Sequence, residues 1–217
     1  METAELIKLI KSRRSIRLFQ DKAVPEELLL QAVEAATWAP NGSNAQTWRF
    51  FIILDKKVIN AIADAVQESM KTIMSWPEMA GAEAPPRSDE QLRKVPALIV
   101  VAFAHTTHAG FGGKQDTALT KRALTDPKAK QMQEGAQIVA GRVQSTSAAV
   151  AYLMLVLHQF GLGSLWMAGP LHAKAGIEKA LNLPPDLDVV TLVPVGYPAE
   201  HPTRTRKPVS EVCTVIK

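Results

Sequence analysis

The chain has 217 residues, 47% of them apolar and 21% charged, and a formal net charge of +4. That length can bury a sizeable core, and that balance excludes long-range disorder. The charge is too mild for a dedicated nucleic-acid binder, and the single cysteine, Cys213, excludes an intrachain disulfide.

The first residues lack the basic start and apolar core of a signal peptide, and the longest apolar run, 148–157, is too short to span a bilayer. The expectation is a cytoplasmic protein with no membrane segment. Along the chain, Leu6, Ile7, Leu9 and Ile10 predict a short amphipathic helix over 4–11. Pro25 opens a second helix, with Glu26 and Glu27 in its first turn, which runs to about Trp38 and is closed by Pro40. The polar turn Asn41-Gly42-Ser43-Asn44 follows, then a strand from Trp48 to Leu54. Residues 56–75 read as helix, and the proline-bearing stretch 75–87 as a loop or lid. Pro96 to Ala104 reads as a buried strand.

Residues 105–126 are weakly patterned. A long helix is expected over roughly 128–160, apolar almost all round from Ala148 to Phe160, so that a partner subunit is needed to cover it. Gly161-Leu162-Gly163 ends that helix. A short strand or turn at 164–167, a helix near 173–182 and a strand over 189–197 follow. The last segment, Val209 to Ile216, reads as an extended arm that pairs outside its own subunit. No linker or repeat divides the chain, so 1–217 is read as one domain. The mixed order of elements favours an α+β sandwich.

The usual phosphate cradles, G-x-G-x-x-G and G-x-x-x-x-G-K-[ST], are absent. His105 and His108 have no acidic or thiol neighbour to complete a metal set, and no Ser-His-Asp arrangement is legible. Basic residues bunch at Lys11-Ser12-Arg13-Arg14 with Arg17 and at Arg204-Thr205-Arg206-Lys207. These are either two solvated turns or one anion site built from both ends of the chain.

Four segments in order carry a resemblance. They are Arg13-Arg14-Ser15-Ile16-Arg17-Leu18-Phe19, then 39–50 (Ala39-Pro40-Asn41-Gly42-Ser43-Asn44-Ala45-Gln46-Thr47-Trp48-Arg49-Phe50), then 161–169 with Trp166-Met167-Ala168-Gly169, and last Gly196-Tyr197-Pro198 with 204–208. Together they resemble the motifs of the FMN-dependent nitroreductase family. The resemblance implies an α+β sandwich with a mostly antiparallel sheet flanked by helices, in an intertwined homodimer with flavins at the interface. It also implies FMN as cofactor, NADH or NADPH as donor, and a small acceptor such as a nitroaromatic or a quinone.

On that resemblance Arg13, Ser15, Arg204 and Arg206 are the residue types that hold the FMN phosphate, because guanidinium groups bind phosphate by bidentate, charge-assisted hydrogen bonds, and Arg14 is a further cofactor-binding candidate. Arg17 takes the flavin's pyrimidine edge, where a cation stabilises the anionic reduced ring. Asn41, Gly42, Ser43 and Asn44 form a turn that reaches the flavin of the other subunit, Gln46 hydrogen-bonds the isoalloxazine edge, and Pro40 is a further cofactor-binding candidate. The backbone of Trp166, Met167, Ala168 and Gly169 lies against O4 and N5. Trp48 is expected in the core. Gln91, Arg93 and Lys94 occupy the area where some members have further flavin contacts, and 105–140 is a candidate substrate cover. No side-chain acid or base and no metal is assigned, since the cofactor carries the chemistry. Two rivals stand beside this reading. One is a specialised branch, a reductive dehalogenase or a flavin-fragmenting enzyme. Dehalogenases of the iodotyrosine type use a lid with Glu, Tyr and Lys, whereas here Tyr152 and Tyr197 both fall outside the candidate lids. The other is a non-enzymatic basic module that binds a polyanion through Arg13, Arg14, Arg204 and Arg206.

Overall fold

The computed structural model describes residues 2–83, 87–104, 118, 121–138 and 141–217. Among them, four strands form one sheet in the order β1-β2-β4-β3. These are β1 (Trp48–Ile53), β2 (Ala97–Ala104), β3 (Gly163–Ser164) and β4 (Leu187–Gly196), and every neighbouring pair is antiparallel. The sandwich is α+β, as the mixed element order predicts.

The central strand β2 explains the layering. Seven of its eight residues are buried, and its side chains alternate between two cores. Leu98, Val100 and Ala102 face one core, with Ile59, Ile62 and Val66 of α3 (Lys56–Met74), Leu92 of α4 (Ser88–Arg93) and Ile177 of a later helix. Ala97, Ile99 and Val101 face the other, with Leu29 and Ala32 of α2 (Glu26–Ala36) and Leu153 and Leu157 of the long helix downstream. A strand covered on both faces must be apolar throughout, and this one reads Ala-Leu-Ile-Val-Val-Ala-Phe-Ala.

The predicted helices over 4–11 and 56–75 are present, as α1 (Thr3–Ser12) and α3. One expectation is corrected, and one element goes beyond the sequence reading. The sequence pattern assigns no element to 88–95, and Ser88–Arg93 forms α4, a stretch too brief for periodicity to reveal. The expected long helix over 128–160 is seen as α5 (Pro127–Ile138) and α6 (Gly141–Gln159), and residues 139–140 between them lie outside the described residues. The C-terminal arm is not wholly extended. Val209–Val212 forms a one-turn helix, α8, following α7 (Lys174–Ala180) in chain order. Its apolar residues Val209 and Val212, and Val215 and Ile216 beyond it, are all largely exposed.

Helix α6 ends as its glycine predicts. Gly161 takes φ 76°, and Leu162 and Gly161 donate to the carbonyls of Leu157 (2.9 Å) and His158 (3.0 Å), a Schellman pattern. Among the described residues no helix is long and apolar enough to cross a membrane. His105 and His108 lie outside the described residues, as does most of the weakly patterned stretch 105–126.

Candidate functional site

After α1 the chain runs alongside two distant segments. Ile16 donates its amide to the Ser164 carbonyl (3.0 Å), Gln20 to Tyr197 (2.9 Å), and Ala199 to Leu18 (2.9 Å). Residues 13–20, 161–169 and 196–200 therefore meet in one place. Gly163 makes this possible, since a Cβ there would stand 2.7 Å from Cγ1 of buried Ile16. The Glu200 carboxylate completes the join. One of its oxygens accepts the amide of Arg17 in a short hydrogen bond and that of Leu18 at 3.0 Å.

This join assembles positive charge. Arg13 is half-buried, and its Nη1 is a buried side-chain nitrogen without a hydrogen-bond partner among the described residues. Burial first, then the nearby charges of Arg206 and Arg14, press its pKa below the ordinary arginine value. The two basic clusters, nearly two hundred residues apart, are thus brought together. A guanidinium nevertheless stays protonated at neutral pH, so the arrangement is one that an anion would relieve. Arg14 is turned elsewhere. Its Nη1 donates to the carbonyls of Lys11 (2.6 Å) and Arg13 (2.9 Å), closing the C-terminus of α1. Arg204 and Arg206 are exposed, and Arg206 donates to the Thr205 carbonyl (3.0 Å).

His158, at the end of α6, was not singled out by the sequence. Its Nε2–H donates to the Ser12 hydroxyl (2.8 Å), which itself donates to the Leu9 carbonyl (2.9 Å). Burial, then Arg13 and Arg14, lower its pKa below the ordinary histidine value.

The turn at 41–46 lies elsewhere. Ser43, Asn44 and Gln46 all have positive φ (53°, 52° and 45°), a left-handed backbone costly for non-glycine residues and concentrated at functional sites. Asn41 holds the turn by accepting the Gln46 amide (2.9 Å) and donating to the Ala39 carbonyl (3.3 Å). Its side chain is therefore scaffold. Gly42 donates to the Ser145 hydroxyl on α6 (3.3 Å). Ser43, Asn44 and Gln46 present their side chains to solvent. Ser145 and His158 are separated by some three and a half turns of α6, about 20 Å. Within one chain the turn and the arginine pair stand at opposite ends of that helix.

The model of the nitroreductase family matches residues 10–197. The chain belongs to that family. An NADH dehydrogenase from Thermus thermophilus is 31% identical over 87% of this chain and 84% of its own length. Among solved structures, a BluB-like flavoprotein from Clostridium difficile is 26% identical, with full coverage of both chains and a TM-score of 0.79. An iodotyrosine deiodinase bound to FMN and 3-iodo-L-tyrosine is 24% identical, with a TM-score of 0.67, covering 98% of this chain and 97% of that one.

In this chain the third motif is only partly open to a ligand. Both the amide and the carbonyl of Met167 are taken by Leu192 (2.9 and 3.2 Å), and its side chain is buried. Ala168 and Gly169 are exposed, and Trp166 stands partly out of the surface at 38% exposure. Trp48 is buried, as expected of a core anchor. Of the three residues before β2, Arg93 is paired with Asp64 on α3 at 2.5 Å, Gln91 is half-buried and Lys94 is exposed.

Proposed function

We propose that this protein is an oxidoreductase that binds FMN, accepts hydride equivalents from NADH or NADPH, and passes them to a small acceptor such as a nitroaromatic or a quinone. The carrying observation is the buried, unpartnered Arg13 nitrogen beside Arg206. A buried donor left unsatisfied is costly. A terminal phosphate supplies acceptor atoms and opposing charge at once, which fits a mononucleotide.

When bound, FMN supplies the hydride relay, and donor and acceptor use the same face in turn. The chain's own residues do the rest. Arg13 and Arg206 hold the phosphate, with Ser15 beside them and Arg204 at the rim. Arg14 supports this group by fixing the end of α1. Arg17 lends positive charge to the reduced ring. Ala168 and Gly169 offer exposed backbone at the ring edge, and Trp166 flanks them.

The turn from Pro40 to Gln46 serves the flavin of a second subunit. Its distance from Arg13 along α6 supports that division of labour, and so does the open apolar face of α6 at Ala151 and Tyr152. The working unit is then a homodimer of single-domain chains. Dehalogenation fits less well. Tyr152 lies on α6, and Tyr197 carries the Lys22 ammonium over its ring at 3.9 Å, so neither belongs to a lid.

The deciding experiment is a visible spectrum of the purified protein, then heat release and chromatography of the pigment. FMN is expected, bleached anaerobically by NADH or NADPH and recoloured by a quinone. A colourless protein that takes up no added FMN would overturn the reading.

A further inference from the structure

We propose that Glu200 is a positioning residue for the flavin ring, aiming the Arg17 side chain by holding the backbone that carries it. The inference rests on the FMN reading above. The backbone on either side of Arg17 is fixed by the neighbouring segments. The Ile16 amide goes to Ser164, and the Leu18 carbonyl receives Ala199. The amides of Arg17 and Leu18 point to neither. They converge on one oxygen of Glu200, which lies 183 residues further along.

The choice of partner is informative. A carboxylate beside an arginine ordinarily pairs with the guanidinium, yet here it takes the backbone amide. The Arg17 guanidinium enters no ion pair among the described residues, and the residue is exposed. Its charge is left for something outside the chain. A carboxylate that accepts two successive amides makes charge-assisted bonds, roughly twice as strong as neutral ones. It fixes the direction in which Arg17 leaves the backbone without neutralising it. Glu200 also joins the C-terminal motif to the N-terminal one, so the two ends of the chain are aligned at the ring as well as at the phosphate.

The test uses FMN and riboflavin titrations, read by fluorescence quenching, on the full-length wild type, on Glu200→Ala, Glu200→Gln and Arg17→Ala, and on the double variants Arg17→Ala/Glu200→Ala and Arg17→Ala/Glu200→Gln. Glu200→Ala is expected to weaken both flavins by a similar factor, about tenfold. Riboflavin lacks the phosphate, so a ring-edge role must survive its removal. Glu200→Gln keeps a carbonyl acceptor and should restore most of the affinity. In the Arg17→Ala background the Glu200→Ala change should add nothing, because there is no side chain left to aim.

Unchanged affinity in Glu200→Ala overturns the proposal. So does a loss confined to FMN, which would put Glu200 at the phosphate end, and so do losses that simply add, which mark a general structural role. If Glu200→Ala does not fold, Glu200→Gln carries the test: its smaller loss must vanish once Arg17 is alanine. A wild type that binds neither flavin refutes the FMN reading itself, and that result precedes every comparison among variants.

Discussion

Arg13 and Arg206 stand at the two ends of the sequence, and the fold brings their charges near each other. The nearby charge of Arg206 is one cause of the depressed pKa of Arg13, so whatever binds one guanidinium relieves the other. Removing a charge-assisted phosphate contact should cost about 1.5–3 kcal/mol, or one to two decades in affinity. Arg206→Ala should purify depleted of flavin and regain much of its activity in excess FMN. Arg206→Lys should recover only part, since an ammonium lacks the planar fork. In FMN titrations the double variant with Arg13→Ala should lose less than the sum of the single losses. An unchanged dissociation constant for Arg206→Ala would return this arginine to the open surface.

His158 gives a pH prediction at the same scale. Burial and the charges of Arg13 and Arg14 disfavour its protonated form in the fold, so its folded pKa lies below its unfolded one. The unfolded chain then binds more protons than the folded one between those two values. The contribution to stability is complete above the ordinary histidine value of about 6.5 and is lost as pH falls through the folded one. The thermal midpoint of flavin-free protein should decline on acidification in that window, and His158→Gln should flatten the decline. FMN should flatten it too, because a bound dianion offsets both arginines. The same slope in wild type and variant would assign the pH effect to other groups. Neither His158 nor Glu200 could be singled out from sequence. A lone histidine on an apolar helix and a glutamate in a proline-rich loop carry no periodic signal, whereas clustered arginines do.

Among the elements, those with strong periodicity or strong punctuation were legible. The buried strand β2 was visible as an unbroken apolar run, α3 as a long amphipathic pattern, and the end of α6 as a glycine cap. Helix α4 was not, because six residues give fewer than two turns on which to judge a period. The polar turn at 41–44 was legible as a turn, but the left-handed backbone of Ser43, Asn44 and Gln46 was not, since none is glycine. Gly163 shows how an element junction can be tested. Its Cβ would meet three Ile16 side-chain carbons between 2.7 and 3.0 Å, and Ile16 is buried. Gly163→Ala should therefore push the 13–17 segment off β3. A destabilisation of about 1–3 kcal/mol is expected, the usual range for overpacking, together with weaker FMN binding. Urea unfolding and flavin titration measure the two effects. A stable variant with weak FMN binding would show that the segment yields locally, and a variant unchanged in both would show that Ile16 repacks without cost.

At the scale of the whole molecule, the single chain leaves a great deal of apolar surface open. Leu6, Ile7 and Ile10 of α1 are each more than 40% exposed, and Tyr152 of α6 is 43% exposed. In the C-terminal segment Val209, Val212, Val215 and Ile216 are 65–93% exposed. Fully burying one such aliphatic side chain is worth about 1.5–3 kcal/mol, so a partner covering several of them would bind firmly. Light scattering should give twice the chain mass at micromolar concentration, and truncation before Val209 should lower thermal stability and flavin occupancy together. Mass alone does not show that a site is shared, but complementation does. The Arg13–Arg206 pair and the 41–46 turn stand about 20 Å apart along α6, so each flavin would draw its phosphate ligands from one chain and its turn from the other. A chain carrying Arg13→Ala and Arg206→Ala should bind FMN poorly. A chain with Ser43, Asn44 and Gln46 changed to alanine should do the same. Unfolded together and refolded as mixed dimers, the two chains place both defects in one site and leave the other intact. Half-occupancy with FMN at wild-type affinity should then appear in the isolated mixed dimer, although neither parent has it. If the mixed dimer binds as weakly as its parents, the turn serves the flavin of its own chain, and the shared site is wrong even if the protein is dimeric.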